Sequence, residues 1–300
     1  MNIRGYAMVF LAASFWGLLG PLAKFAFADG AAPLEVAFWR AAFGGLFFII
    51  HCGVFRLYAL RKKDRLPILL FGLVGVSVFF GAYQLAVQKS GAAVASILLY
   101  TAPFWVALLS RVFLGESMQP VKVLALFIAM AGAFLVCVGS GGQAAGGGTW
   151  LSLGSMNGWG VFFGLLSGFT YALHYIFGKR YLSEYKAATL YCYTLPVGAL
   201  GLLPWVHFQA RPLSSWLVFL GLGLICTYGA YMFYCAGLKA LSATRVAITA
   251  NLEPVIAALL AYVWWGEYFL PIGYLGGALV LSAVFLMVLE SSQPWRRRSR

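Results

Sequence analysis

Long apolar runs recur along the chain, each cut off by a short stretch of charge, glycine or proline. A helix crossing a hydrocarbon core of about 30 Å needs about 20 mostly apolar residues. On that measure the pattern predicts ten transmembrane helices, over 5–27, 33–54, 67–88, 92–113, 120–138, 157–178, 187–207, 213–237, 242–264 and 271–290. The weakest boundary lies between the third and fourth spans, where Lys89-Ser90-Gly91 is the only interruption. Midway, Gly139 to Gly148 (GSGGQAAGGG) reads as a flexible, uncharged connector between two sets of five spans.

Composition sharpens this picture. Of 300 residues, 62% are hydrophobic and 10% charged, against about a quarter charged in a soluble domain. Too little charge is present to cover a water-soluble globule. The net charge of +13 does not signal nucleic acid, because the basic residues form short clusters between apolar runs. With the N-terminus in the cytoplasm, the inside segments carry Arg4, the Arg56–Arg65 cluster, Arg111, Lys122, Lys179, Arg180, Lys186, Lys239, Arg245 and the terminal arginines; the outside loops carry only Lys89 and Arg211. The positive-inside rule therefore places both termini in the cytoplasm of a bacterial-type inner (plasma) membrane protein. The basic tail, 291–300, reads as a topology anchor. The cysteines (Cys52, Cys137, Cys192, Cys226, Cys235) sit inside apolar runs without metal-ligand spacing and read as small packing residues. The first run is too long for a signal-peptide core, so no cleavable leader is expected. No cofactor or metal is expected either.

The two halves repeat at a separation of 151 positions. Pro103, Ala107, Leu108, Leu109, Val112, Gly115, Glu116, Pro120 and Leu124 are matched by Pro254, Ala258, Leu259, Leu260, Val263, Gly266, Glu267, Pro271 and Leu275, and Tyr83 by Tyr234. Five spans per half is odd, so the second half enters from the opposite side. Inverted repeats of this kind mark many secondary transporters, with substrate held between the repeats near the midplane. The stretches Leu99–Leu109 with Gly115-Glu116, and Asn251–Leu260 with Gly266-Glu267, resemble the two copies of the EamA-type repeat of the drug/metabolite transporter superfamily; Phe15-Trp16-Gly17 and Arg40 extend the likeness over nearly the whole chain. The resemblance implies an all-α ten-helix membrane fold: a first repeat over 1–138, a linker over 139–156 and an inverted second repeat over 157–290. It also implies export of small metabolites, and within the superfamily the chain is most similar to the amino-acid exporters, including those for aromatic amino acids.

Polar residues at lipid depth are costly and should face the interior or a wet cavity. Helical spacing aligns Ser77, Gly81, Gln84 and Gln88 in the third span; Ser96, Tyr100 and Pro103 in the fourth; Ser167, Tyr171, His174 and Gly178 in the sixth; and Tyr228, Tyr231 and Cys235 in the eighth. Ser14, Gly17, Pro21 and Lys24 do the same in the first span, beside Trp16. These stripes predict one central cavity lined by Trp16, Ser77, Tyr83, Gln84, Gln88, Tyr100, Tyr171, His174, Tyr175, Tyr228, Tyr231, Asn251 and Glu253. Interhelical hydrogen bonding is the alternative for any single member. Tyr100 and Asn251 occupy repeat-related positions. Asn251 and Glu253, two residues apart, cannot share a helical face, which makes Asn251 the stronger cavity residue. Glu253 has three open roles: an anchor for a substrate ammonium, a carrier of a coupling proton, or a structural partner of Lys24, Arg40 or His174. Pro103 and Pro254 each remove a helical hydrogen-bond donor, deep within their spans, and suggest paired hinges or static kinks. Glu116 and Glu267 are expected to cap a neighbouring element or pair with a loop cation. Gly160, Gly164 and Gly168 form a small-residue stripe suited to internal helix packing.

Together these features point to a transporter that exports amino acids by alternating access, a monomer in a lipid bilayer acting on a small-molecule substrate. The alternative is proton-coupled efflux of cationic or aromatic drugs, in which Glu253 would matter most. An enzyme is disfavoured: His51, His174 and His207 lie on different spans, and no H-E-x-x-H or G-x-S-x-G motif is present.

Overall fold

A computed structural model describes residues 2–140, 157–266, 268 and 270–292. Most of the linker, Glu267 and all but the start of the basic tail lie outside the described residues. Within them the chain is helical, with ten helices long and apolar enough to span a membrane. The elements are α1 (Ile3–Gly17), α2 (Leu19–Ala28), α3 (Pro33–Phe55), α4 (Lys62–Phe71), α5 (Phe79–Leu99), α6 (Ala102–Phe113), α7 (Pro120–Ser140), α8 (Gly158–Tyr181), α9 (Ala187–Leu202), α10 (Leu213–Gly223), α11 (Ala230–Ala240), α12 (Ala243–Ala250), α13 (Glu253–Trp265) and α14 (Pro271–Ser292). Two π-helical turns, Gly72–Val78 and Leu224–Gly229, join α4 to α5 and α10 to α11.

Several spans are therefore compound. The first breaks at Leu18, three residues before Pro21, whose missing N–H ends α1's hydrogen-bond ladder. The third starts at Lys62, five residues earlier than the apolar pattern indicates, because the charged turn Lys62–Arg65 is already helical. The boundary at Lys89-Ser90-Gly91 is real but minimal: Gly91 alone leaves the helix, at φ 82° and ψ 159°, and turns the third span into the fourth.

Pro103 and Pro254 do not kink continuous helices, and the reading of a mid-helix donor loss is corrected here. The fourth span stops at Tyr100 and restarts at Ala102; the ninth stops at Asn251 and restarts at Glu253. Each proline occupies the second position of the new helix, where its absent N–H would have been unsatisfied in any case. The two breaks match closely. Tyr100 (φ −74°, ψ 8°) and Asn251 (φ −64°, ψ 0°) end the first half-helices. Gly115 and Gly266 follow the second half-helices with φ of 64° and 63°. The inverted repeat is thus expressed in the backbone down to single dihedral angles.

The stripe Gly160, Gly164, Gly168 packs internally: a β-carbon at Gly164 or Gly168 would collide with Leu98 or Thr101 of the α5–α6 segment. The outer surface is apolar, with Val54, Leu66, Val112, Leu213 and Phe285 among its exposed side chains, as lipid requires. Trp159 and Trp205 are exposed where spans six and seven reach one face, in the manner of an interfacial aromatic belt.

The two membrane faces differ. One holds Gly30, Gly91 and Arg211, and is called the Gly30 face here. The other, the Glu116 face, is dense with polar ties. Glu116 accepts hydrogen bonds from the Ala243 N–H (2.6 Å), the Thr244 N–H (3.4 Å) and the Thr244 hydroxyl (2.9 Å), capping α12 as expected of it. Arg245 pairs with Glu290, Arg61 with Glu184, and the Tyr185 hydroxyl donates to Asp64 at 2.7 Å. The Tyr6 hydroxyl donates to the Met287 carbonyl at 2.8 Å, tying α1 to α14.

Candidate substrate cavity

A cavity of about 490 Å³ lies between α1–α2, α3, α5, α7, α8, α11 and α13, well inside the range of about 300–1,000 Å³ usual for small-molecule sites. Phe27, Pro33, Ala92 and Ala261 line its end toward the Gly30 face; Trp16, Tyr171 and Tyr231 lie at its deep end. The α-helical breaks put it there. Because α5 ends at Tyr100 and α13 begins at Glu253, the side chains at both breaks project where the half-helices part.

Charge is concentrated in three side chains: Glu253, Arg40 and Lys24 all line the cavity. The Tyr100 hydroxyl lies within hydrogen-bonding reach of the Glu253 carboxylate, and Arg40 is the cation whose field reaches it. Arg40 is held in place by two neighbours. Its Nε donates to the Thr227 hydroxyl at 3.2 Å, and its guanidinium sits over the Phe80 ring, 4.5 Å from the centroid. Thr227 belongs to the second π turn and itself donates to the Leu222 carbonyl at 3.1 Å. The irregular turn therefore has a local use: it presents a hydroxyl that fixes the direction of a membrane-buried arginine.

The walls are aromatic. Phe79 stacks on Tyr171 (5.2 Å between centroids), and Trp16 meets Tyr171 at 6.2 Å and Tyr231 at 6.0 Å, both edge to face. Tyr83 and Ser96 share a hydrogen bond at 3.0 Å.

The structure brings together Trp16, Tyr83, Gln84, Tyr100, Tyr171, Tyr231, Glu253 and Pro254. The other expected lining residues are placed elsewhere. Ser77 donates to the Gly198 carbonyl at 2.8 Å, in the packing of the third span on α9. Gln88 is not among the lining residues and lies three residues before the Gly91 turn. His174 is 1% exposed, its Nε2 at 2.5 Å from the Gly75 carbonyl of the first π turn. Tyr175 lies a helical turn below Tyr171, its hydroxyl pointing to the Tyr171 hydroxyl at 3.5 Å. Tyr228 pairs with His51 at 2.7 Å, away from the centre. Together His174, Tyr175, Tyr191 and Tyr234 make a packed aromatic floor: Tyr231 stacks on Tyr191 at 4.3 Å and on His174 at 5.9 Å. The relative weight given to Asn251 and Glu253 is reversed. They do diverge, but Glu253 faces the cavity, while Asn251 is 3% exposed and its amide nitrogen has no partner among the described residues. A helical face was the wrong ruler, because the helix breaks between them.

Phe79, Phe80 and Cys137 of the lining were not anticipated. Nothing distinguishes the two phenylalanines from lipid-facing ones in the sequence. Arg40 carried a readable signal, being ionisable and deep within a span, but entered only through the family likeness and as one partner for Glu253. Among the described residues no group of His, Cys, Asp or Glu is arranged to hold a metal ion.

Comparison with known proteins gives a consistent picture. An uncharacterized transporter of Archaeoglobus fulgidus is 29% identical over 273 residues, 90% of this chain and 92% of its own. An uncharacterized inner membrane transporter of Salmonella typhimurium is 28% identical over 99% of this chain and 98% of its own. A probable terminal-alkyne amino-acid exporter of Streptantibioticus cattleyicolor is 26% identical over 90% of this chain and 91% of its own. A crystal structure superposes with a TM-score of 0.80 at 18% identity, each chain covered in full, which speaks to the fold. The pattern of the EamA-like transporter family matches twice, over residues 3–138 and 158–289. The chain belongs to the EamA-like transporter family, within the drug/metabolite transporter superfamily.

Proposed function

We propose that the protein exports amino acids, aromatic ones included, through this cavity by alternating access. The observation that carries the reading is the combination of opposite charges with aromatic walls in one space: Glu253 suits an α-ammonium, Arg40 an α-carboxylate, and the Trp16, Phe79, Tyr171 and Tyr231 rings an apolar side chain. The name of the Streptantibioticus relative points the same way. With both termini in the cytoplasm of an inner membrane, the cavity opens outward and this is the post-release state.

The charge balance favours this reading over efflux of cationic drugs. Two cations and one carboxylate line the cavity, a setting that repels a ligand with only positive charge. Uptake of labelled amino acids into proteoliposomes, with and without a pH gradient, tests the proposal. Saturable uptake that ignores the gradient means a facilitator with an electrostatic Glu253. Gradient-dependent uptake makes Glu253 the coupling group. Efflux of a cationic dye without any amino-acid uptake would favour the drug reading.

A further inference from the structure

The inverted repeat gives many cavity-lining positions a partner 151 residues away that lies outside the cavity, while Phe80 and Tyr231, paired at the same separation, both line it. Tyr83 is paired with Tyr234, Gln84 with Cys235, Tyr100 with Asn251, and Ala261 with Ser110. The first member of each pair lines the open cavity. The second members are buried: Tyr234 is 1% exposed, Cys235 2%, Asn251 3% and Ser110 0%. Two further pairs behave alike, Val87 and Ser96 lining the cavity while Leu238 and Ala247 are buried.

Burial alone would describe any core. The second observation is chemical. The Tyr234 hydroxyl, the Asn251 amide nitrogen and the Ser110 hydroxyl are all buried without a hydrogen-bond partner among the described residues. Leaving such a group unpaired costs about 1–3 kcal/mol, and native structures hold few of them. Here three fall on the repeat partners of one cavity's wall, on three different helices. They are explained together if this surface is wetted in another state.

We propose that Tyr234, Cys235, Asn251 and Ser110 line the second half of the permeation path, packed shut in this structure and opened toward the Glu116 face in the opposite state. The inference rests on the transporter reading above. It assigns the closure to Glu116, whose carboxylate clamps the N-terminus of α12 to the end of α6, the two half-helices that must part. It also gives the second half a different chemistry. The repeat partner of Glu253 is Ala102, 2% exposed, so the four residues assigned to the inner half offer an amide, hydroxyls and a thiol, with the Glu116 carboxylate at its closed mouth. Exported substrate would pass from this weaker-binding vestibule to the charged level.

The cysteines provide the test. A chain keeping Cys235 alone (Cys52→Ala, Cys137→Ala, Cys192→Ala, Cys226→Ala) is reconstituted, its transport verified, and treated with a membrane-impermeant maleimide from each side. A second chain adds Glu116→Gln, and a third keeps Cys137 alone as a control for the open half. Cys235 is expected to react from the Glu116 face only, faster during turnover, and about tenfold faster in Glu116→Gln as the population shifts. Cys137 is expected to react from the Gly30 face and to be slowed by Glu116→Gln. Transport that proceeds while Cys235 stays unreactive in both backgrounds would overturn the inference and leave the transporter reading standing. Failure of transport for every substrate would remove the substrate assignment instead, and the response of Cys235 to Glu116→Gln would still decide the inference.

Discussion

Tyr100 and Asn251 occupy the same backbone position in two copies of one motif, and their dihedral angles differ by about ten degrees. Their surroundings are opposite. Tyr100 faces a cavity and meets Glu253; Asn251 is buried at the end of α12, its amide nitrogen without a partner among the described residues. The backbone repeat therefore sets where the helices break, and the packing of the half-helices decides whether the break is a site or a seam. A symmetric scaffold holding an asymmetric arrangement of its own parts is what a two-state transporter requires.

The sharpest way to break this comparison is to remove what only the Tyr100 side has. Glu253→Gln is expected to lower initial uptake of a zwitterionic amino acid by roughly 100-fold, the loss of one charge-assisted contact; uptake within threefold of the parent would show that the carboxylate does not touch substrate. Next comes Tyr100→Phe, which keeps the ring and deletes the hydroxyl near Glu253. A hydrogen bond worth about 1 kcal/mol predicts a roughly fivefold loss of uptake, and a change in affinity without one in maximal rate would place the tyrosine on the substrate rather than on the moving parts.

The Asn251 side predicts the reverse sign. Asn251→Leu replaces an orphaned amide with an apolar group of similar size. It should raise the thermal midpoint in detergent by a few degrees, the return of about 1 kcal/mol or more, while slowing transport. A loss of stability would mean that the amide is satisfied in the resting protein. The smallest expected effect is at the Gly30 rim. There Asp29 accepts hydrogen bonds from Ser214 and Ser215, each at 2.8 Å, which hold its carboxyl below the usual 3.8. A lowered folded-state value stabilises above the unfolded pKa and is lost as pH falls through the folded one. The thermal midpoint should thus be flat from neutral pH down to about 4 and fall below it, and Asp29→Asn should flatten that acid limb.

The spans, their inversion and the aromatic character of the wall were legible in the sequence because each rests on a period: twenty apolar residues, a separation of 151, or the i, i+4 spacing of Ser96 and Tyr100. What escaped did so where the period stops. Asn251 and Glu253 were ranked by a helical face that the chain abandons between them. Ser77 and His174 fit their stripes well, yet both are used by neighbours: one by the Gly198 carbonyl, the other by the Gly75 carbonyl of a π turn. A π turn rotates the residues that follow it relative to those before, so a stripe drawn through it at 3.6 residues per turn points in two directions. Neither turn carries proline, and no local composition announces them.

The pairing of Glu253 with Ala102 has a consequence for symmetry. Two identical five-span chains related by a two-fold axis in the membrane plane would present either a carboxylate from each copy or none. Two repeats that differ in sequence within one chain can instead present a solitary negative charge at the shared level, as Glu253 opposite Ala102 does.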